Sequence, residues 1–220
     1  MTPRVEFRLL GPLEVQSDGN PLDLGPARQR QLLALLLLHP GEIVSREQLV
    51  EEMWGAAAPA SAANMIQVYV SRLRKALGHE VLLTQSPGYV LRVEDGAVDS
   101  ARFERLLARA AEATEAGDPK AAREMLDEAL GLWRGPPLAD FTYASFAQAE
   151  VARLEDLRLD GVELRADTDL ALGRHVGLVA ELERSIALHP YRERLRGQLM
   201  IALYRSGRQA EALEAYRAAR

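Results

Sequence analysis

The sequence predicts a multidomain, mostly α-helical protein: a small N-terminal α+β domain followed by an all-α array of paired helices. Three observations carry this. Between residues 4 and 93, short strand-like segments flank three helical stretches. Beyond residue 97 no strand signal recurs, and apolar residues fall at helical spacing. Finally, Gly173-Arg174 and Gly207-Arg208 stand 34 residues apart, with Val179 matching Leu213 and Leu182 matching Tyr216 at the same offset.

Length and composition bound the possibilities. A chain of 220 residues makes one large or two modest domains, and 48% apolar residues support real cores. The formal charge of −5 gives no global attraction to a polyanion. There is no cysteine, hence no disulfide framework and no Cys-based zinc site. The four histidines, His39, His79, His175 and His189, are scattered singly, so neither a metal nor another cofactor is expected. The longest apolar run, residues 32–38, is too short to span a bilayer, and the N-terminus lacks a signal-peptide layout. A soluble cytoplasmic protein with no membrane partner is expected.

Taken in order, residues 4–10 alternate as a strand and Gly11-Pro12 breaks it. Leu13 and Val15 continue a second strand, residues 17–20 form a tight turn, and residues 21–24 suit a third strand. Pro26 suits a first helical position, and the helix runs to about Leu38, where His39-Pro40-Gly41 stops it. Arg28 and Arg30 near its start suit either phosphate contact or plain solvated charge. Residues 45–48, Ser-Arg-Glu-Gln, form a capping box that starts a second helix, with Leu49 and Met53 inward and Trp54-Gly55 at its end.

Residues 60–77 form the stretch around which this half is organised. At 100° per residue, Ile66, Tyr69, Val70, Leu73 and Leu77 gather on one side of a helix. Asn64, Val68, Ser71, Arg72 and Lys75 gather on the other, flanked by Gln67 and Arg74. Amides, hydroxyls and guanidinium groups can hydrogen-bond base edges, and cations can pair with phosphate. No Asp or Glu lies between Glu52 and Glu80, and over residues 53–93 the cations Arg72, Arg74, Lys75 and Arg92 face only Glu80. Taken alone, the same pattern more often describes an ordinary amphipathic helix with a solvated face.

Gly78 ends that helix. Residues 81–84 and 89–93 then read as a β-hairpin about the turn of residues 85–88. Sheet, three helices, then hairpin is the plan of a winged helix-turn-helix, in which the third helix fits a major groove and the hairpin reaches an adjacent groove or the backbone.

Trp54-Gly55, residues 70–77 and Pro87-Gly88-Tyr89 resemble the winged-helix output domain of two-component response regulators. Residues 9–15 and 28–36 resemble, more narrowly, the streptomycete antibiotic regulatory protein family, and the likeness covers residues 5–93. The resemblance implies that Asn64, Gln67, Val68, Ser71 and Arg72 face bases, while Trp54, Tyr69, Arg74 and Lys75 meet the backbone. The wing is implied at Gln85, Ser86 and Tyr89. Many relatives carry Arg in the wing turn where this chain has Gln85 and Ser86, so a smaller wing contribution is expected.

Residues 94–97 are the candidate boundary between domains spanning 1–95 and 97–220. Helices are expected over 99–116 (Phe103, Leu106, Leu107, Ala110), 120–133 (Ala122, Leu126, Ala129, Trp133) and 144–172 (Phe146, Leu154, Leu170). Asp118 is the N-cap within the turn Gly117-Asp118-Pro119, and Gly135-Pro136-Pro137 interrupts the array. The 34-residue offset is the tetratricopeptide period, His189-Pro190 falls between units, and Gly117-Asp118 opens a third unit of the same kind. Residues 133–138 and 189–193 resemble the bacterial transcriptional activation domain that follows the winged helix in the same family. Relatives usually continue with another helical segment, so either a truncated chain or a longer parent with further domains is expected.

No Walker loop, nucleophile elbow or His-Glu-x-x-His motif occurs, and pairs such as Glu51-Glu52 read as solvated charge, so no enzyme is expected. The resemblance implies an activator that binds short direct repeats in double-stranded promoter DNA as a homodimer. It implies recruitment of RNA polymerase holoenzyme and control of antibiotic or other secondary-metabolite genes. The alternative is a protein-interaction scaffold built on the helical repeats, with the winged helix as a docking module.

Overall fold

The computed structural model describes residues 5–218 and divides into two compact units. The first comprises Met1–Arg102 with Leu132–Glu155, and the second Phe103–Gly131 with Asp156–Arg220.

In the first unit β1 (Val5–Arg8), β2 (Glu14–Ser17) and β3 (Asn20–Pro21) make an antiparallel sheet with Phe7 opposite Val15. Alternation buries Phe7 and Val15 on one face. Three helices follow: α1 (Ala27–Leu37), α2 (Arg46–Trp54) and α3 (Ala62–Leu77). Pro26 is the N-cap of α1 rather than its first residue. Ser45 is the N-cap of α2, with the Gln48 N–H donating to Ser45 Oγ at 3.0 Å, which is the Ser half of the expected capping box. Leu32, Leu33, Leu36, Leu49, Ile66 and Leu73 form the centre of the core. A second sheet, ordered β4 (Val44–Ser45), β6 (Gly88–Leu91), β5 (Leu82–Gln85), carries the wing.

The compact units cut the chain elsewhere than at residues 95–97. Residues 97–102 and 132–155 lie with the winged helix because of contacts too distant in sequence to leave a local signal. The Leu9 and Leu10 N–H groups donate to the Asp99 carboxylate at 2.6 and 3.1 Å. The Arg134 and Leu138 N–H groups donate to the Leu10 and Leu9 carbonyls, each at 2.8 Å. Arg134 pairs with Glu14 at 2.8 Å, and Leu138, Phe141 and Ala147 join the core. Burial pushes the Asp99 carboxyl above its ordinary value of 3.8, against the lowering by the Leu9, Leu10 and Ser100 N–H donors and by Arg134.

The rest is helical: α4 (Asp99–Glu115), α5 (Pro119–Gly131), α6 (Ser145–Ala171), α7 (His175–Leu188), α8 (Glu193–Arg205) and α9 (Gln209–Ala218). The mostly α fold, winged helix followed by tetratricopeptide-like helices, is therefore as the sequence predicts. The repeat is visible in the backbone. Gly117, Gly173 and Gly207 take φ of 77°, 75° and 77°, the left-handed conformation that glycine adopts without strain. At each one the same two hydrogen bonds close the helix. Arg174 N–H donates to Asp169 O where Arg208 N–H donates to Leu203 O and Asp118 N–H to Ala113 O. Asp118 caps α5 through the Ala121 N–H at 3.0 Å.

The second unit's core joins Ala166 and Leu170 to Leu178, Val179, Leu182, Leu195, Leu199, Ala202 and Leu203. The equivalent positions differ in burial. Val179 and Leu182 are 4% and 1% exposed, whereas Leu213 and Tyr216 are 58% and 56% exposed. In α7 these side chains pack against α8, and among the described residues no element covers them in α9. Among the described residues, no helix is long and apolar enough to cross a membrane.

Two outcomes follow for the first unit. A Cβ on Gly88 would stand 1.8 Å from the Val44 carbonyl, so Gly88→Ala should cost about 2 kcal/mol or more in urea unfolding as β4 and β6 separate. Asp99→Ala strands two buried N–H groups and should cost about 2–4 kcal/mol. Because the folded state holds the Asp99 proton more tightly than the unfolded chain, its contribution to stability increases as pH falls from the raised folded value through 3.8. The variant, compared with wild type by thermal unfolding across that window, should lack this component.

Candidate nucleic-acid interface

Helix α3 presents the interface. Its inward row, Ile66, Val70, Leu73 and Leu77, is buried. Asn64, Gln67, Ser71, Arg72 and Lys75 are exposed, and Val68 keeps 47% of its surface open. Arg72 and Lys75 make no hydrogen bond or ion pair with any described residue, and no acid shares their helix. Arg74 and Lys75 stand in the last turn, where the helix dipole favours cations. The row offers amide, hydroxyl and guanidinium hydrogen-bonding groups together with the Val68 methyls, which suit a thymine methyl.

Trp54 and Tyr69 are half-buried at the border of this surface and pack on the core. Three other predicted cations are engaged by the protein itself. The Arg28 guanidinium donates to the Met53 carbonyl at 2.5 Å and to Gln31 Oε1 at 2.9 Å, and it lies 5.7 Å from the Trp54 ring. Arg30 donates to the Leu13 carbonyl at 2.8 Å and pairs with Asp140 at 2.7 Å. Arg74 donates to the Leu82 carbonyl and to Thr84 Oγ1, both at 2.7 Å.

In the wing, Gln85 and Ser86 are exposed at the tip. Tyr89 belongs to wing strand β6, but its side chain is 3% exposed and serves the core. The Arg46 guanidinium lies 5.7 Å from its ring. Arg46 is an exposed cation beside the wing that no local pattern singles out, because it lies in the first turn of α2 and its neighbour Tyr89 is distant in sequence.

Comparison with known proteins accords with this geometry. Residues 19–93 match the family described as transcriptional regulatory protein, C terminal, and residues 98–220 match the bacterial transcriptional activator domain. Regulatory protein DnrI of Streptomyces peucetius is 40% identical over 223 residues, covering 96% of this chain and 82% of the relative. The chain belongs to the streptomycete antibiotic regulatory protein family. Members of this family are transcriptional regulators. Regulatory protein AfsR of Streptomyces coelicolor is 45% identical over 213 residues, and the match spans 96% of this chain but 21% of that larger relative. The solved structure of Mycobacterium tuberculosis EmbR in complex with a low-affinity phosphopeptide superposes with a TM-score of 0.94 at 35% identity, covering 99% of this chain and 59% of that one.

Proposed function

We propose that this family member is a sequence-specific DNA-binding transcriptional activator of the bacterial cytoplasm. Residues 1–95 carry the DNA-binding function and residues 97–220 the activation function. The observation that carries the reading is the outward row of α3, polar, cationic and free of acids, on a helix whose opposite face is locked into a core. Asn64, Gln67, Val68, Ser71 and Arg72 read base edges, while Trp54, Tyr69 and Lys75 position the backbone. Arg28 and Arg30 lie outside the contact set because the protein already holds their guanidinium groups. The exposed tip residues Gln85 and Ser86 make the wing contact.

The regulatory part of the reading draws on the family. The protein binds direct repeats upstream of promoters as a homodimer, recruits RNA polymerase holoenzyme, and controls antibiotic or other secondary-metabolite genes. A second reading, an interaction scaffold, draws on the open apolar surface of Ile201, Tyr204, Leu213 and Tyr216.

Mobility shifts on promoter fragments neighbouring the gene separate these readings. Wild type should form a specific complex. Arg72→Ala should weaken it by about 1–3 kcal/mol, the size of a lost bidentate base contact, while leaving non-specific binding intact. Lys75→Ala should weaken all sequences alike and reduce the slope of log affinity against log salt by about one. Equal specific affinity of Arg72→Ala and wild type would remove Arg72 from the base contacts, and no specific complex with any fragment would favour the scaffold.

A further inference from the structure

Arg74 follows Arg72 by two positions on α3, yet the two side chains do different things. Arg72 is open, whereas Arg74 turns toward the wing and spends two parallel donors on one strand. That strand, β5, lies at the edge of the sheet, so alternate carbonyls point off the ladder and need another donor. The Leu82 carbonyl takes the Arg74 Nε–H, and Thr84 Oγ1 takes an Nη2–H. Thr84 pairs across the hairpin with Tyr89, and Gln85 at the tip is the next residue along. The far side of the hairpin is fixed separately, with Gly88 opposite the N-cap residue Ser45. The wing is thus tied to α2 through one strand and to α3 through the other.

We propose that Arg74 is a positioning residue: its planar fork sets the wing tip against the recognition helix, and it supports DNA affinity through that placement rather than through a phosphate contact. This rests on the DNA-binding reading above and deepens it. A lysine ammonium is a point charge and cannot make the two parallel bonds of the fork, so charge alone does not substitute.

The test uses the full chain with Arg74→Ala, Arg74→Lys and Thr84→Val, the last removing one acceptor while keeping every charge. In the DNA-free protein, hydrogen exchange of the β5 and wing-turn amides should quicken about tenfold in all three, with the rest of the first unit unchanged. Unchanged wing protection in Arg74→Ala overturns the strut whether or not DNA binds. On a bound promoter fragment, each variant should lose about tenfold in affinity with a salt slope equal to that of wild type. Hydroxyl-radical protection should fade at the wing flank and persist where α3 sits. A slope reduced by about one in Arg74→Ala, or full recovery by Arg74→Lys, would assign Arg74 to phosphate instead. Failure of wild type to bind any fragment would count against the DNA-binding reading alone, since the exchange measurement stands apart from it.

Discussion

The packing of Ile66, Val70, Leu73 and Leu77 into the space between α1 and α2 is the constraint on which the rest depends. Each such side chain contributes about 1.5–3 kcal/mol on burial, so together they hold α3 firmly. More important than the total is the direction they impose. Rotating the helix by one residue, 100°, would expose leucines and push the unpaired Arg72 toward the interior in one sense, or Gln67 and Arg74 in the other, at a cost of several kcal/mol. The rotational setting of α3 is therefore fixed, and with it the row of side chains that faces outward. A binding surface follows from a packing requirement on the opposite side of the same helix.

Charge is divided along the same lines. Cations that hold the unit together are occupied: Arg134 with Glu14, Arg30 with Asp140, Arg28 against Trp54, and Arg74 on the wing strand. Those on the outward row, Arg72 and Lys75, are left open. A protein of net charge −5 can present a local cationic surface because its acids are placed elsewhere. The segment of residues 132–155 belongs to this arrangement. Through Asp140, which also accepts the Leu13 N–H at 2.8 Å, it buttresses the N-terminal sheet, and Leu138 and Phe141 extend the core.

Much of this was legible in the sequence because its signals are local. The period of α3, the Ser45 capping box, the Gly78 stop, the hairpin and the 34-residue recurrence of Gly173 and Gly207 each lie within a few residues or one repeat. What stayed hidden depends on distance. The carboxylate of Asp99 reaches Leu9 and Leu10 from 90 and 89 residues away, and no local pattern announces it. Tyr89 sits in the motif that marks the wing, but whether it points out or in depends on packing against the helical core. The partners of Arg28, Arg30 and Arg74 were likewise invisible, since a list of cations does not say which are already held. Repeat matching likewise gave the correspondence of Val179 with Leu213 and Leu182 with Tyr216. It did not give their opposite exposure, which depends on whether another helix lies against them.

The absence of cysteine from the sequence permits a direct test of where α3 lies. Ala63, exposed in the first turn of α3, can be replaced by a single cysteine carrying an iron chelate that cleaves nearby nucleic acid. On a bound promoter fragment, strand scission confined to the protected site is the predicted result. A specific complex that forms in full yet shows no scission from this position would contradict the account, because it would place α3 outside the duplex groove.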